Sequence, residues 1–168
     1  MVDFLDELEA NVPALRRYAR ALTRNIDHAD DLVQDCLERA ISRRGLFRPH
    51  GPLRPWLFTI LTNLHRNGLR SQRRRGKSLD IDDLPDLGIP APQTGHLALA
   101  ELARAIETLP LDQKEALLLV TLEGLAYAQA AAILQIPQGT LMSRLGRARA
   151  ALRQLTGHPA EPHLRTVK

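Results

Sequence analysis

The sequence predicts an all-α protein made of two small helical domains joined by a flexible linker. Leucine and alanine, which favour helices, dominate a chain of 168 residues in which aromatic residues make up only 4%. Runs of β-branched and aromatic residues, the usual signal of strands, are missing. An acidic, proline-rich segment interrupts the helical pattern over residues 76–95. We therefore expect helical domains over residues 1–75 and 96–156, and a disordered tail over residues 157–168.

Three helices are predicted in the first domain, over residues 3–23, 28–44 and 55–74, with Pro13 as a candidate break in the first. The second begins with aspartates and ends with arginines, which complements the helix dipole. Apolar residues at spacings of three and four should face the core. They are Phe4, Leu8, Val12, Leu15, Ala19 and Leu22, then Leu32, Cys36 or Leu37, and Ala40 or Ile41, then Trp56, Leu57, Ile60, Leu61, Leu64 and Leu69.

Four helices are predicted in the second domain, over residues 96–108, 112–123, 127–134 and 138–155. Gly124 should end the second of these, because glycine readily adopts the left-handed conformation that follows a helix. The apolar positions expected to face the core are Leu97, Leu99, Leu102 and Ile106 in the first of these helices and Leu141, Leu145, Ala148, Leu152 and Leu155 in the last.

Composition excludes several classes of protein. Cys36 is the only cysteine, so the chain has no internal disulfide and no cysteine-based zinc site, and a reducing compartment is expected. The N-terminus is acidic, unlike a signal peptide, and no apolar run is long enough to span a bilayer. The six histidines are scattered without metal-ligand spacing. We expect a cytoplasmic protein with no enzymatic activity, no metal and no cofactor.

Residues 124–155 predict a helix-turn-helix. Two short helices flank a turn that ends at Pro137, and the second helix carries arginines but no acidic residue. Such a helix reads base edges in the DNA major groove with its N-terminal end. The polar positions available for this are Gln138, Thr140, Ser143, Arg144 and Arg147. The alternative is an ordinary helix with a solvated arginine face.

The third helix ends in a basic run over residues 66–77, with six cations and no acidic residue. Neutralising several phosphates would give nucleic-acid binding that weakens strongly with salt. Asn63 is a candidate base-edge contact, whereas Trp56 is interpreted as a core anchor rather than a base-stacking platform. The alternative is a basic flank to the linker.

The second helix has an acidic face, made by Asp30, Asp31, Gln34, Asp35 and Glu38. Because this face would repel phosphate, it favours a basic protein surface as its partner. A solvated helix with well-placed N-terminal charges is the alternative.

These three elements, in this order, resemble the extracytoplasmic-function class of bacterial sigma factors. The matching stretches are ADDLVQDCLERA (29–40), PWLFTILTNLHRNGLRSQRRR (55–75) and LPLDQKEALLLVTLEGLAYAQAAAILQIPQGTLMSRLGRARAAL (109–152). The resemblance implies a subunit of RNA polymerase that directs transcription from chosen promoters, and that is held inactive by an anti-sigma factor. It also implies that the linker runs through the polymerase toward the RNA path.

The resemblance assigns roles to three sets of residues. Core RNA polymerase would be bound by Asp30, Asp31, Leu32, Gln34, Asp35 and Arg39. The minus-ten element of promoter DNA would be recognised and melted by Asn63, Arg66, Arg70, Arg73 and Arg74. The minus-thirty-five element would be read by Gln138, Thr140, Met142, Ser143, Arg144 and Arg147. Met142 replaces the lysine usual in the family, so a phosphate contact would be lost and an apolar contact, such as one to a thymine methyl group, gained.

Two other functions remain open at this point. A stand-alone helix-turn-helix regulator would account for residues 96–155 but not for the acidic helix or the basic run. A sigma-like decoy that binds only an anti-sigma factor would account for the order of the elements but would not need both basic surfaces.

Overall fold

The computed structural model describes residues 3–47, 51–76 and 94–157, with side chains in the last range from residue 98 onward. All regular secondary structure in these ranges is helical. All of the predicted tail except Gly157, and all but the ends of the predicted linker, lie outside the described residues. Among the helices described, none is both long and apolar enough to cross a membrane.

The N-terminal bundle contains three helices, α1 (Phe4–Thr23), α2 (Ile26–Ser42) and α3 (Leu53–Arg74), with a 3-10 turn at Arg44–Leu46. The candidate break at Pro13 is wrong, because α1 runs through this exposed proline without interruption. A proline on the solvent side leaves the carbonyl that it cannot bond accessible to water. Helix α2 begins earlier than predicted because the Asn25 side chain accepts a hydrogen bond of 2.9 Å from the backbone N–H of His28.

The core of the N-terminal bundle follows the predicted apolar stripes closely. Tyr18 and Phe58 pack edge to face at its centre, with ring centroids 5.2 Å apart. The predicted positions that are buried are Leu8, Leu15, Ala19, Leu22, Cys36, Ala40, Leu57, Ile60 and Leu61. Ile41, one of two alternatives at its position, is exposed, and Ala40 takes the inward place.

The C-terminal bundle contains α4 (Thr94–Glu107), α5 (Leu111–Leu117), α6 (Tyr127–Leu134) and α7 (Gln138–Thr156). The predicted single helix over residues 112–123 is wrong in its second half. It continues from α5 as a π-helical turn, Leu118–Leu122, in which the N–H of Glu123 bonds to the carbonyl of Leu118 at 3.1 Å. Gly124 ends this segment with φ of 65°, as predicted.

The predicted apolar side is buried along most of α7 but not in the first part of α4. In α7 Leu141, Leu145 and Ala148 are buried, and only Leu155, near its end, is exposed. In α4 the prediction is wrong for Leu99, which is 65% exposed, and for Leu102, which is also exposed. Burial begins only at Ala105, because no other described element covers the part of α4 from residue 98 to residue 104. The side chain of Leu97 lies outside the described residues.

The two bundles pack directly on each other, an arrangement that the sequence did not predict. Helix α3 contacts α6, helix α1 contacts the π-helical turn, and the buried apolar residues of both bundles form one continuous cluster. The ion pairs between the bundles are Arg17–Glu123, Arg54–Glu123, Arg66–Glu115 and Arg24–Glu107. The distances between the predicted binding surfaces are therefore set by this packing.

Candidate nucleic-acid and protein interfaces

Helix α2 presents an acidic stripe to solvent. Asp31, Gln34, Asp35 and Glu38 are all exposed, and their spacing places them on one face of the helix. The Gln34 amide donates a hydrogen bond of 3.1 Å to the Glu38 carboxylate. In the described part of the chain, neither Asp31 nor Asp35 is in an ion pair. These two carboxylates are therefore available to a cationic partner.

The other residues predicted for this surface lie around the stripe. Asp30 is half-buried and faces α1, with Oδ1 at 3.7 Å from Nε of Arg16 and 3.8 Å from Nη2 of Arg20. Leu32 is half-buried against the core, and Arg39 is exposed. Asp30 therefore joins α1 to α2, and of the acidic residues predicted for this surface only those of the stripe are fully open to solvent.

The basic residues of α3 differ in how far their side chains are exposed. Arg70, Arg73 and Arg74 are exposed, and Asn63 is half-buried. Arg66 instead has a side chain only 23% exposed, and it binds Glu115 of α5 through two nitrogens, with Nε at 3.0 Å from Oε1 and Nη2 at 2.6 Å from Oε2. This pairing raises the pKa of Arg66 above its ordinary value.

A polar cleft of about 420 Å³ lies between α3 and the C-terminal bundle. It brings together charged residues that were assigned to two different DNA elements. Its charged lining residues are Arg66, Arg70, Arg73, Asp112, Glu115 and Arg144. The cations of α3 and an arginine of α7 therefore face the same narrow space in this structure.

The helix-turn-helix has the predicted length and turn. Three residues separate α6 from α7, and the first of them, Gln135, adopts the left-handed conformation with φ of 56°. The N–H of Ile136 bonds back to the carbonyl of Ala131 at 3.0 Å, and Pro137 precedes the first turn of α7. At the start of α6, the Gln129 side chain accepts a hydrogen bond from the N–H of Ala126 at 3.2 Å. Both ends of this short helix are thus fixed by local hydrogen bonds.

Most of the predicted contacts on α7 face solvent. Gln138, Ser143 and Arg147 are exposed, Met142 is 55% exposed, and Thr140 is half-buried. Arg144 is largely covered, with Nε at 3.3 Å from Oδ2 of Asp112 in α5. Because Leu141 and Leu145 anchor the opposite side of α7, the helix holds its polar N-terminal end outward.

Two buried carboxylates between the bundles were missed by the sequence analysis. The side chain of Glu123 has no exposed surface, and both of its oxygens bind Arg17 at 3.0 and 2.8 Å. Arg54 donates from one nitrogen to the Glu123 carboxylate at 2.9 Å and to its backbone carbonyl at 2.8 Å. Glu115 is buried in the same way by Arg66. Glu123 is an isolated acidic residue in an apolar stretch, which is a local signal that could have indicated burial, whereas Glu115 follows Asp112 and Lys114 and gives no such signal.

The described residues contain neither a metal site nor a reactive cysteine. Among the described side chains, no group of histidine, cysteine and carboxylate residues lies in a position to hold a metal ion. Burial raises the pKa of the Cys36 thiol to about 12, so the thiol is unreactive.

Trp56 is half-buried and packs against Phe47 with ring centroids 5.3 Å apart, which supports the interpretation as an anchor. An apolar cleft of about 660 Å³ lies beside it, facing α6.

Comparison with known proteins gives consistent matches to both bundles. Residues 8–62 match the family model described as the Sigma2 domain of PhyR, and residues 99–152 match Sigma-70, region 4. The ECF RNA polymerase sigma factor EcfG of Rhodopseudomonas palustris is 44% identical over 150 residues, which is 89% of this chain and 83% of that protein. SigM of Mycobacterium tuberculosis, another ECF sigma factor, is 34% identical over 145 residues, 86% of this chain and 72% of that protein.

Among solved structures, the sigma factor RpoE of Bartonella quintana in complex with the anti-sigma factor NepR superposes with a TM-score of 0.81. It is 37% identical in sequence, and the match covers 94% of this chain and 99% of that chain. The similarity therefore extends over both bundles and over their relative placement.

Proposed function

Because this chain belongs to the extracytoplasmic-function (ECF) family of RNA polymerase sigma factors, we propose which of its surfaces bind polymerase and which bind promoter DNA. As a member of this family it is a transcription factor that binds core RNA polymerase and directs initiation at promoters. We assign residues 1–75 to sigma region 2, residues 76–95 to the linker and residues 96–156 to sigma region 4. We place its action in the cytoplasm, where core polymerase transcribes the chromosome.

The acidic stripe of α2 is the surface that we assign to core polymerase. Asp31 and Asp35 are exposed and unpaired among the described residues, whereas most other acidic residues near the bundle interface are engaged. Complementary charge accelerates encounter and sets the orientation of a complex. This open stripe, on a protein that otherwise presents cations to nucleic acid, is the observation that carries the proposal. Asp30, Leu32 and Arg39 would form its border.

The C-terminal half of α3 is assigned to the minus-ten element. Arg70, Arg73 and Arg74 are exposed on one end of this helix, and Asn63 is accessible one turn before Arg66. Cations at this spacing neutralise successive phosphates, while an amide side chain can pair with a base edge. Arg66 belongs to the same surface once its partner Glu115 is removed.

Helix α7 is assigned to the minus-thirty-five element. Its N-terminal turn carries Gln138 and Thr140, and the following turns carry Met142, Ser143 and Arg147 on the exposed side. This is the geometry in which a recognition helix enters the major groove. Arg144 would contribute after exchanging Asp112 for phosphate.

An anti-sigma factor is the third partner that we propose. The similar RpoE of Bartonella quintana was solved in complex with the anti-sigma factor NepR, and the two chains match over nearly their full lengths. A partner of the same kind would hold this chain away from core polymerase.

A decoy function has one observation in its favour. The N-terminal bundle matches the Sigma2 domain of PhyR, and a PhyR structure described as an anti-anti-sigma factor shares the fold at 17% identity. We favour the sigma factor because identity to EcfG is 44% and because both basic surfaces are retained. A decoy would bind an anti-sigma factor but would not activate core polymerase.

The test combines binding with transcript mapping. Purified protein is added to core polymerase and a library of genomic fragments, and the transcripts are sequenced. We expect initiation at a discrete set of sites, and we expect Asp31→Lys with Asp35→Lys to abolish binding to core. The matched control is Asp6→Lys with Glu9→Lys, which makes the same charge change on the exposed side of α1. Undiminished binding of the α2 variant would refute the proposed docking surface.

A further inference from the structure

We propose that the free chain closes on itself, and that Glu115 and Glu123 are the residues that hold it closed and keep it from binding a promoter. The inhibitory part of this proposal rests on the proposed function, since it requires that α3 and α7 bind DNA. The closure itself rests only on the contacts between the two bundles.

Glu123 joins three segments of the chain. Its carboxylate is completely buried and binds Arg17 of α1 through two nitrogens, while Arg54, at the start of α3, binds both the carboxylate and the backbone carbonyl of Glu123. A carboxylate that is taken out of water requires such partners, because leaving it unpaired is strongly unfavourable. Glu123 can therefore be buried only while the two bundles are together.

Glu115 binds Arg66, which the open molecule would need for binding DNA. Its carboxylate takes three contacts of 3.1 Å or less from Arg66, and the fork of the guanidinium matches the two carboxylate oxygens. A phosphate group presents oxygens to arginine in the same paired geometry. Glu115 therefore occupies the guanidinium face that would bind the DNA backbone.

In the closed arrangement, the two proposed DNA-binding surfaces are also too close together to bind both promoter elements. The names of the minus-ten and minus-thirty-five elements place them about 25 base pairs apart. At 3.4 Å per pair, this separation is roughly 85 Å along the duplex. In this structure Arg70 and Arg73 of α3 and Arg144 of α7 line a single cleft of about 420 Å³. Two surfaces that face one cleft cannot bind two elements at that separation, so the bundles must part first.

The contacts that close the molecule are suited to being opened. Arg17 and Arg54 keep about half and over a third of their side-chain surface exposed, so water can take their place at little cost. In a buried ion pair the loss of hydration offsets most of the attraction, which leaves a modest net stabilisation. A polyanion that competes for Arg66, or a polymerase surface that holds the bundles apart, would shift the equilibrium to the open state.

The first measurement is the radius of gyration of the full chain by small-angle X-ray scattering. A single compact body of this length has a radius of about 15 Å. We expect Glu115→Gln with Glu123→Gln to increase the radius by several Å over wild type. The control, Glu9→Gln with Glu101→Gln, removes the same charge from exposed positions and should leave the radius unchanged. An unchanged radius in the first variant overturns the proposal.

A second variant separates opening from misfolding. Arg17→Gln with Arg54→Gln removes the partners of Glu123 while leaving every residue assigned to polymerase or DNA in place. It should also increase the radius. Far-UV circular dichroism should report wild-type helix content in both variants. If one variant loses helix, the other decides the outcome, and a folded variant that stays compact contradicts the proposal.

The second measurement is binding of a fluorescein-labelled random-sequence duplex of 40 base pairs, followed by anisotropy at low salt. We expect the Glu115, Glu123 variant to bind about tenfold more tightly than the charge-matched control, a difference of about 1.4 kcal/mol. A larger radius without tighter binding would show that closure occurs but is not inhibitory. Failure of the proposed function is distinct from both outcomes, because wild-type protein would then neither bind core polymerase nor start transcription.

Discussion

The rings of Tyr18 and Phe58 meet edge to face at 5.2 Å, and the Tyr18 hydroxyl lies 3.4 Å from the Thr62 hydroxyl. This contact ties α1 to α3 at the centre of the N-terminal bundle. The guanidinium of Arg54 lies over the Phe58 ring, 5.6 Å from its centroid, and Arg54 in turn binds Glu123. One aromatic side chain therefore belongs to both the core of the first bundle and its contact with the second.

Substitutions at Phe58 and Tyr18 distinguish the contribution of packing to stability from that of hydrogen bonding. We expect Phe58→Ala to lower the free energy of unfolding by about 3–5 kcal/mol, because it leaves a cavity in a fully buried site. Tyr18→Phe removes only a long hydrogen bond and should cost about 1 kcal/mol. Urea denaturation followed by circular dichroism measures both. Equal losses for the two variants would contradict the proposed centre of packing.

Two glycines in the C-terminal bundle should respond oppositely to alanine. Gly124 has φ of 65°, so Gly124→Ala should destabilise the protein by about 1 kcal/mol or more. Gly146 lies inside α7, exposed and with no atom near the position of an added Cβ, so Gly146→Ala should stabilise it by up to about 1 kcal/mol. Thermal unfolding of the two single variants gives the signs directly. Changes of the same sign would disagree with the backbone described here.

His65 should make stability depend on pH. Burial lowers the pKa of His65 to about 4, and the nearby charges of Lys114 and Arg66 act in the same direction. In the described structure its Nδ1 has no hydrogen-bond partner, so a proton there would be unpaired. The folded state therefore favours neutral histidine. The stabilisation is complete above pH 6.5, the ordinary pKa, and is lost as the pH falls toward 4.

The corresponding experiment is urea denaturation between pH 7 and pH 5. We expect the wild type to lose roughly 2 kcal/mol more than His65→Gln over this interval. His28→Gln is the matched control, since it makes the same substitution at an exposed position near the start of α2. Identical slopes for wild type and His65→Gln would place the titration elsewhere.

Replacing Met142 with lysine tests whether α7 contacts DNA, because the substitution should add a phosphate contact. The side chain is 55% exposed on the outer face of α7. If α7 binds the minus-thirty-five element as proposed, a lysine at this position would reach the DNA backbone. Met142→Lys should tighten binding to a promoter duplex found by transcript mapping and should steepen the dependence of log K on log salt by about 0.9. Gln154→Lys adds the same charge at the far end of α7 and should change neither quantity comparably. Equal effects of the two variants would remove α7 as the DNA-contacting helix.

Much of the candidate site was predictable because its signals are local. The exposed stripe on α2 follows from the spacing of Asp31, Gln34 and Asp35, and the helix-turn-helix follows from apolar spacing, Gly124 and Pro137. The prediction for the first part of α4 was wrong because an apolar stripe shows which side of a helix can be buried, but not whether another element covers it. The π-helical turn after α5 likewise has no distinctive composition.

By itself the sequence determined the helices and their order and predicted three binding surfaces, because hydrogen bonding and apolar periodicity act over a few residues. Only the tertiary structure decided that Arg66 meets Glu115, that Arg17 and Arg54 meet Glu123, and that Asp30 turns toward α1. Arg66 and Glu115 are 49 positions apart, and Arg17 and Glu123 are 106 apart. Whether such charges pair depends on how one bundle docks on the other, and that depends on the shapes of two assembled surfaces rather than on any stretch of sequence.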